Sequence, residues 1–338
     1  MSNQAIVFAE AGPASVLKVG SIPRESPTGW DILVKNFAVS VNPVDTKVRS
    51  VNPGWSQSVR VLGYDAAGIV EEVGPKVTDL FKKGDHVWYA GLSTRNGSNS
   101  EFTLVDGRTV GKKPTSLDWT VAAAFPLVSL TAYELMIEKM AIQKGDPGNL
   151  LIVNAAGGVG SIALQLATKV LGIKNVVATA SRTETIDWVK KLGATHVINH
   201  REPLGPQIEA LGFPIKNVLL FFDPDAYIPQ VIQFIQPFGK IGSILAPQKA
   251  NFLTGHRKSI TLYLESMFAK SEFGVDEASQ GKILDEMADL VDAGLIQSIA
   301  SEAYPYNVEN LQNAHKKLEA GAVVGKIVLT VDENSFKQ

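Results

Sequence analysis

The residues best placed for chemistry stand in one run. Leu150-Leu151-Ile152-Val153 leads through Asn154-Ala155 into Ala156-Gly157-Gly158-Val159-Gly160, and Ser161–Ala167 follows with helical periodicity. A strand that turns through glycines into a helix presents backbone N–H groups and the positive end of a helix dipole, which is the chemistry of a phosphate cradle. Gly157 and Gly160 occupy the second and third glycine positions of a dinucleotide fingerprint, where backbone must approach a pyrophosphate and a helix must pack on its strand. Ala155 stands where the first glycine is usual, so the match is imperfect. A tight turn without a ligand is the alternative, and a second strand at the right distance, Asn175–Thr179, favours the nucleotide.

The tip of that second strand reads Ala180-Ser181-Arg182. A site for NAD places an acidic residue here, to accept from the ribose 2′-hydroxyl. Ser181 can instead donate to a 2′-phosphate and Arg182 can pair with it, at about 1.5–3 kcal/mol for each charge-assisted bond. The expected cofactor is therefore NADPH. Glu184, three residues after Ser181, would also complete a capping box on the next helix, and a capping serine still lies beside the ribose.

Composition narrows the rest. The 338 residues contain no cysteine, which excludes disulfides, a thiol nucleophile and every thiolate-ligated zinc site. The formal charge of −2 gives no reason to expect nucleic acid or an anionic membrane as partner. The N-terminal apolar run soon meets Glu10, and Leu150–Val153 and Val218–Phe222 are of strand length. A cytoplasmic protein is the expectation.

The elements that must hold the cradle change character along the chain. Ala5–Phe8, Ile32–Val41, Ala67–Val73, His86–Tyr89 and Glu101–Val105 are β-rich and punctuated by turn residues, with no useful helix expected before Asp118. Beyond Phe125, strands at Leu150–Val153, Asn175–Thr179, His196–Ile198, Asn217–Phe222, Lys240–Leu245 and Ser259–Leu264 alternate with helix-like segments. Helices at Ile283–Ala293 and Val308–Glu319 and a strand at Lys326–Val331 follow. The expected fold is α/β, a Rossmann doubly wound parallel sheet beside a mainly antiparallel β domain.

Several stretches, in order and spacing, resemble the medium-chain dehydrogenase/reductase superfamily. They are Ser40-Val41-Asn42-Pro43-Val44-Asp45-Thr46, Leu62-Gly63-Tyr64-Asp65 with Ala66–Val70, Lys83–Val87, Leu130-Thr131-Ala132-Tyr133, Ala155–Gly160, Leu192–Ala194, Asn199-His200-Arg201-Glu202 and Gly325–Leu329. The chain looks most like the quinone oxidoreductases and the zinc-free, zinc-type alcohol dehydrogenase-like proteins. The resemblance implies a GroES-like substrate domain at 1–125 and 270–338 and a Rossmann NADP-binding domain at 126–269. Zinc-dependent members carry cysteine where this chain has Asn42, and Gly-His-Glu where it has Gly63-Tyr64-Asp65. Two metal ligands are thus replaced, no cysteine can supply a third, and no metal is expected.

What the resemblance then implies is hydride transfer from NADPH to quinones or α,β-unsaturated carbonyls. Thr131 is expected near the nicotinamide, at the start of the helix leading into the nucleotide domain, and Asn199 and His200 near the adenosine ribose. Asn42, Asp45 and Tyr64 are expected to border the substrate. Tyr64 is the candidate proton donor or a packing tyrosine, and Asp45 is either part of the site or a buried carboxylate holding loops. Lys47 departs from the tyrosine that quinone oxidoreductases often carry there. An enoyl reductase of a biosynthetic pathway, or an NADPH-binding sensor or structural protein, are the rival readings. Trp55 and Trp88 could line a pocket or pack in a core, and the helix around Glu309–Glu319 reads as amphipathic and surface-borne. The apolar Ser259–Phe268 segment resembles a free sheet edge through which a homodimer would form.

Overall fold

The computed structural model describes residues 2–51, 55 and 57–336. The chain divides into two compact units, one of Met1–Leu127, Phe268–Ala293 and Ser298–Gln338, the other of Val128–Met267 and Gly294–Gln297.

The first unit is built on a seven-stranded sheet that runs Ala300–Pro305, Lys326–Thr330, Asp31–Ser40, Ala66–Val73, His86–Tyr89, Val110–Lys112, with Phe102–Asp106 also paired to Asp31–Ser40. Every pairing is antiparallel except that of the first two strands. A smaller antiparallel sheet joins Lys18–Pro23, Ser2–Phe8 and Arg60–Val61. Inward residues of these strands, among them Ile6, Ile32, Val34, Val70, Val87 and Leu329, form the core.

The second unit holds a six-stranded sheet, all parallel, in the order His196–Ile198, Val176–Thr179, Leu150–Val153, Ile215–Leu220, Ile235–Ser243, Thr261–Leu264. In chain order this is 3-2-1-4-5-6, the arrangement of a doubly wound dinucleotide fold. Leu150–Val153 and Val176–Thr179 are buried along their whole length, as strands covered on both faces must be. Thr261–Leu264 lies at the sheet's edge.

Three features depart from the sequence reading. A nine-residue helix, Pro43–Val51, stands where none was expected. The segment Gly294–Gln297 belongs to the nucleotide unit because Gln165 Oε1 accepts from Gln297 N–H at 2.7 Å and Gln165 Nε2 donates to Gln297 O at 3.2 Å. One described helical stretch, Trp119–Lys139, is long and apolar enough to cross a membrane, yet 78% of its most apolar window is buried inside the fold, as in a core helix.

Candidate active site

In the nucleotide unit the strand Leu150–Val153 ends at Asn154, whose φ of +61° is left-handed, a conformation asparagine tolerates. Asn154 N–H donates to Thr179 Oγ1 at 3.0 Å, which ties the turn to the second strand. The helix begins at Gly158 with Gly157 as an extended N-cap and no side chain capping it. Its first N–H groups have no intrahelical acceptor by geometry, so they face whatever the turn holds. A Cβ on Gly160 would stand 2.5 Å from Asn154 O and 2.6 Å from Ala155 Cα, so only glycine lets the helix sit this close to the strand. Ala156, Val159 and Gly158 complete the turn, and Trp188 Nε1 donates to Ser161 Oγ at 2.8 Å to pin the helix behind it.

Ser181 and His200 meet at the tips of the second and third strands, Oγ to Nε2 at 3.3 Å. Arg182 and Arg201 flank them, and His200 is pulled below its ordinary pKa by partial desolvation, then by Arg201 and Arg182. Asn199 is half-buried, its N–H bonded to Gln207 Oε1 at 2.8 Å and its Oδ1 accepting from Arg201 N–H at 3.0 Å. The expected capping box at Ser181 is not formed. Arg182 is the N-cap of Thr183–Lys191, and Thr185 Oγ1 both accepts from Arg182 N–H at 3.1 Å and donates to Arg182 O at 2.8 Å. Ser181 Oγ is therefore left to His200 and to a ligand. Thr131 is buried within the helix Pro126–Tyr133, near its C-terminal end and not at its start.

The first unit gathers a second set of residues. Asn42 and Asp45 stand at the start of Pro43–Val51, with Pro43 in the first helical position, where its missing N–H costs nothing. Asp45 is fully buried; its Oδ2 accepts from Asn42 N–H at 2.8 Å and its Oδ1 from Gly63 N–H at 3.0 Å. Burial raises its pKa to about 7, against the lowering effect of those two N–H groups and of Lys326. Gly63 has φ +108°, and a Cβ there would fall 2.5 Å from Ser98 Oγ and 2.7 Å from Asn99 N, so glycine is required for Tyr64 to be presented.

Asp65 and Lys326 are the centre of this network and were not singled out as functional residues in the sequence. Both are buried, with Lys326 Nζ 2.8 Å from Asp65 Oδ2. Lys326 also donates to Asn42 Oδ1 at 2.6 Å and to Val41 O at 2.9 Å. Asp65 accepts further from Asn42 Nδ2 at 2.7 Å, Ser40 Oγ at 2.9 Å and Leu127 N–H at 2.7 Å. Tyr64 is buried, its ring edge-to-face with Phe268 at 5.2 Å and its hydroxyl 3.4 Å from Arg60 Nη2. Burial, then the charge of Asp45, raises its pKa to about 12, so the phenol keeps its proton.

Other expectations resolve more simply. Trp88 is a core residue packed against Phe125, while Trp55 donates to Val59 O at 2.7 Å and lies under Arg60. The helix Val308–Glu319 is not merely a surface helix, because its buried His315 accepts through Nδ1 from Arg49 Nη1 at 2.9 Å and Glu319 pairs with the same guanidinium. Burial, then Arg49, lowers the His315 pKa to about 3.

Comparison with known proteins identifies the family. Residues 28–115 match the alcohol dehydrogenase GroES-like domain and residues 192–329 the zinc-binding dehydrogenase family. A zinc-type alcohol dehydrogenase-like protein of Staphylococcus aureus (strain MSSA476) is 38% identical over 325 residues, 94% of this chain and 96% of that one. The chain belongs to the medium-chain dehydrogenase/reductase superfamily, in its zinc-type alcohol dehydrogenase-like branch. The crystal structure of a putative zinc-dependent alcohol dehydrogenase protein from Rhizobium etli CFN 42 is 42% identical, covers 98% of each chain and superposes with a TM-score of 0.94. An NADPH-dependent alkenal/one oxidoreductase of Arabidopsis thaliana is 30% identical over 342 residues, covering 96% of this chain and 79% of that protein.

The dehydrogenase/reductase fold raises two groups to test against the residues present. Zinc does not fit the residues present at 42 and 64, where the resemblance implies metal ligands: Asn42 Oδ1 is held by the Lys326 ammonium and Tyr64 keeps its proton beside Arg60. No cluster of three or more His, Asp or Glu among the described residues could hold a metal ion. A dinucleotide does fit the turn at 154–160, where the uncapped helix and the close glycine approach are both present.

Proposed function

We propose that this chain is an NADPH-dependent oxidoreductase that delivers hydride to quinones or α,β-unsaturated carbonyls without zinc. The observation that carries the reading is the bond from Lys326 Nζ to Asn42 Oδ1, which puts an ammonium where relatives of this fold place a metal ligand. Without a Lewis acid, alcohol oxidation loses its means of stabilising an alkoxide, whereas a conjugated acceptor spreads the incoming charge itself. The name of the Arabidopsis relative supports both the cofactor and the acceptor class.

In this reading the turn Ala156–Gly160 binds the pyrophosphate, and Ser181, Arg182, Asn199 and His200 hold the adenosine ribose and its 2′-phosphate. NADPH held by these residues would supply the hydride that reduces the conjugated acceptor. Thr131 packs beside the nicotinamide. Asn42 and Asp45 border the acceptor, and Tyr64, protonated up to about pH 12, donates a hydrogen bond to the acceptor carbonyl oxygen as charge develops there. The exposed Leu264 on the edge strand Thr261–Leu264 suits pairing with a second copy of the chain, which light scattering would register as a dimer mass.

The test is NADPH and NADH oxidation, followed by nicotinamide absorbance, with 1,4-benzoquinone, 9,10-phenanthrenequinone and 2-hexenal as acceptors and EDTA present. Turnover with NADPH preferred and EDTA harmless is the expected result. Tight NADPH binding with no acceptor reduced, or activity lost to EDTA, would overturn it.

A further inference from the structure

Among the described residues three basic side chains are buried: Arg49, Arg60 and Lys326. Two of them have a carboxylate, Glu319 for Arg49 and Asp65 for Lys326. Arg60 has none. Its Nη2 donates to Ser93 O at 2.8 Å and lies 3.4 Å from Tyr64 Oη, its Cζ stands 4.6 Å from the centroid of the Trp55 ring, and Nε and Nη1 have no partner at all. A guanidinium cannot shed its proton to escape burial, and a buried charge without a counter-charge is among the most costly things a fold can keep. The carboxylate of Glu272 is bonded to Ser93 Oγ and does not pair with Arg60. The surroundings are the rings of Trp55, Tyr64 and Phe268, which suit a flat conjugated molecule.

We propose that Arg60 binds a carboxylate on the acceptor, so that the substrate is a conjugated carbonyl compound that also carries a carboxylate group. The proposal rests on the reductase reading in one respect, that Tyr64 borders the acceptor. A carboxylate is favoured over a neutral carbonyl because its charge and planar pair of oxygens match what the guanidinium lacks.

The test compares trans-4-oxo-2-pentenoate with its methyl ester as acceptors for NADPH, and the unreactive 4-oxopentanoate with its methyl ester as ligands by calorimetry. The acid is expected to exceed the ester in kcat/KM by roughly tenfold to a hundredfold, the range of a charge-assisted pair. Arg60→Gln brings that ratio to about one, and Arg60→Lys restores part of it. Should Arg60→Gln fail to fold, the calorimetric comparison on the unaltered protein decides: the acid must bind more tightly than the ester. If neither acceptor is reduced but 4-oxopentanoate binds and its ester does not, the reductase reading falls while the carboxylate site stands. Equal affinity for acid and ester overturns the site. So does an unaltered acid-to-ester ratio in Arg60→Gln, or an equal loss of thermal stability in Arg60→Gln and Glu272→Gln with that ratio at one, which would mark Arg60 as a structural partner of Glu272.

Discussion

Replacing Lys326 with methionine keeps the apolar stem and removes the charge that faces Asp65. Removing one member of a buried ion pair costs about 3–5 kcal/mol, because the other charge stays behind without compensation. The lower end applies here, since Ser40 Oγ, Asn42 Nδ2 and Leu127 N–H continue to bond Asp65. Two acceptors, Val41 O and Asn42 Oδ1, also lose their donor, at about 1 kcal/mol each. The total is about 5 kcal/mol, a third or more of the stability of an ordinary domain. With a urea slope of about 3 kcal/mol/M, the midpoint should fall by about 1.7 M.

Both partners lie in the first unit, so amide exchange of the strand Asp31–Ser40, measured by mass spectrometry, reports the loss independently of how the other unit unfolds. The decisive comparison is Lys326→Met with Asp65→Asn. Once Asp65 is neutral the charge penalty vanishes, and the double variant should recover at least about 2 kcal/mol relative to the sum of the single changes. A loss under about 1 kcal/mol for Lys326→Met, or strict additivity in the double variant, would refute the assignment of Lys326 as the compensating charge.

Further outcomes follow from the same geometry. Arg182→Ala should cut the preference for NADPH over NADH by roughly tenfold to a hundredfold, read from the ratio of kcat/KM values, while leaving the NADH figure nearly constant. His200 lies below its ordinary pKa in the free protein, and a 2′-phosphate would favour its charged form, so NADPH binding should weaken relative to NADH as pH rises and the imidazolium is lost; in His200→Asn that trend should be lost, as calorimetry at a series of pH values would show. For Asp45 the folded pKa, about 7, lies above the unfolded value, so the native state binds the extra proton and stability falls as pH rises from about 4 to about 7, by about 4 kcal/mol at most. Melting temperatures of Asp45→Asn should be flatter across that window, and a parallel decline in both proteins would remove Asp45 as the cause.

Much of the nucleotide unit was legible because its chemistry is local. Parallel strands buried on both faces appear as unbroken apolar runs, and the glycine turn that follows Val153 has its own signature. The helix Pro43–Val51 escaped for the opposite reason. Its buried residues are Asp45, Thr46 and Arg49, all polar, so the only apolar signal is the short run Val44, Val48 and Val51 at helical spacing. The signal lay in its cap, where Asn42-Pro43 and an acid at the third helical position mark a helix start. Ser181 was misassigned as a cap because Glu184 made a plausible box, whereas Thr185 closes the turn one residue later.

Lys326 shows where sequence reasoning stops. Lys326 opens an apolar strand buried over its first four residues, but charge argues for solvent, and the conflict is settled only by Asp65, 261 residues away in the chain. That pairing also accounts for an ordered polar site in this region. Without Lys326, Asp65 would be a buried negative charge facing neutral groups. The ammonium of Lys326 supplies the cation, Asn42 bonds both members of the pair through Oδ1 and Nδ2, and Asp45 and Gly63 fix the backbone on either side. A divalent ion entering here would meet an ammonium already in hydrogen-bond contact with Asn42, and like charges at that range repel strongly in a dry interior. On the proposed zinc-free reading, the network's own cation takes the place a metal would fill, and its polar groups are satisfied by one another.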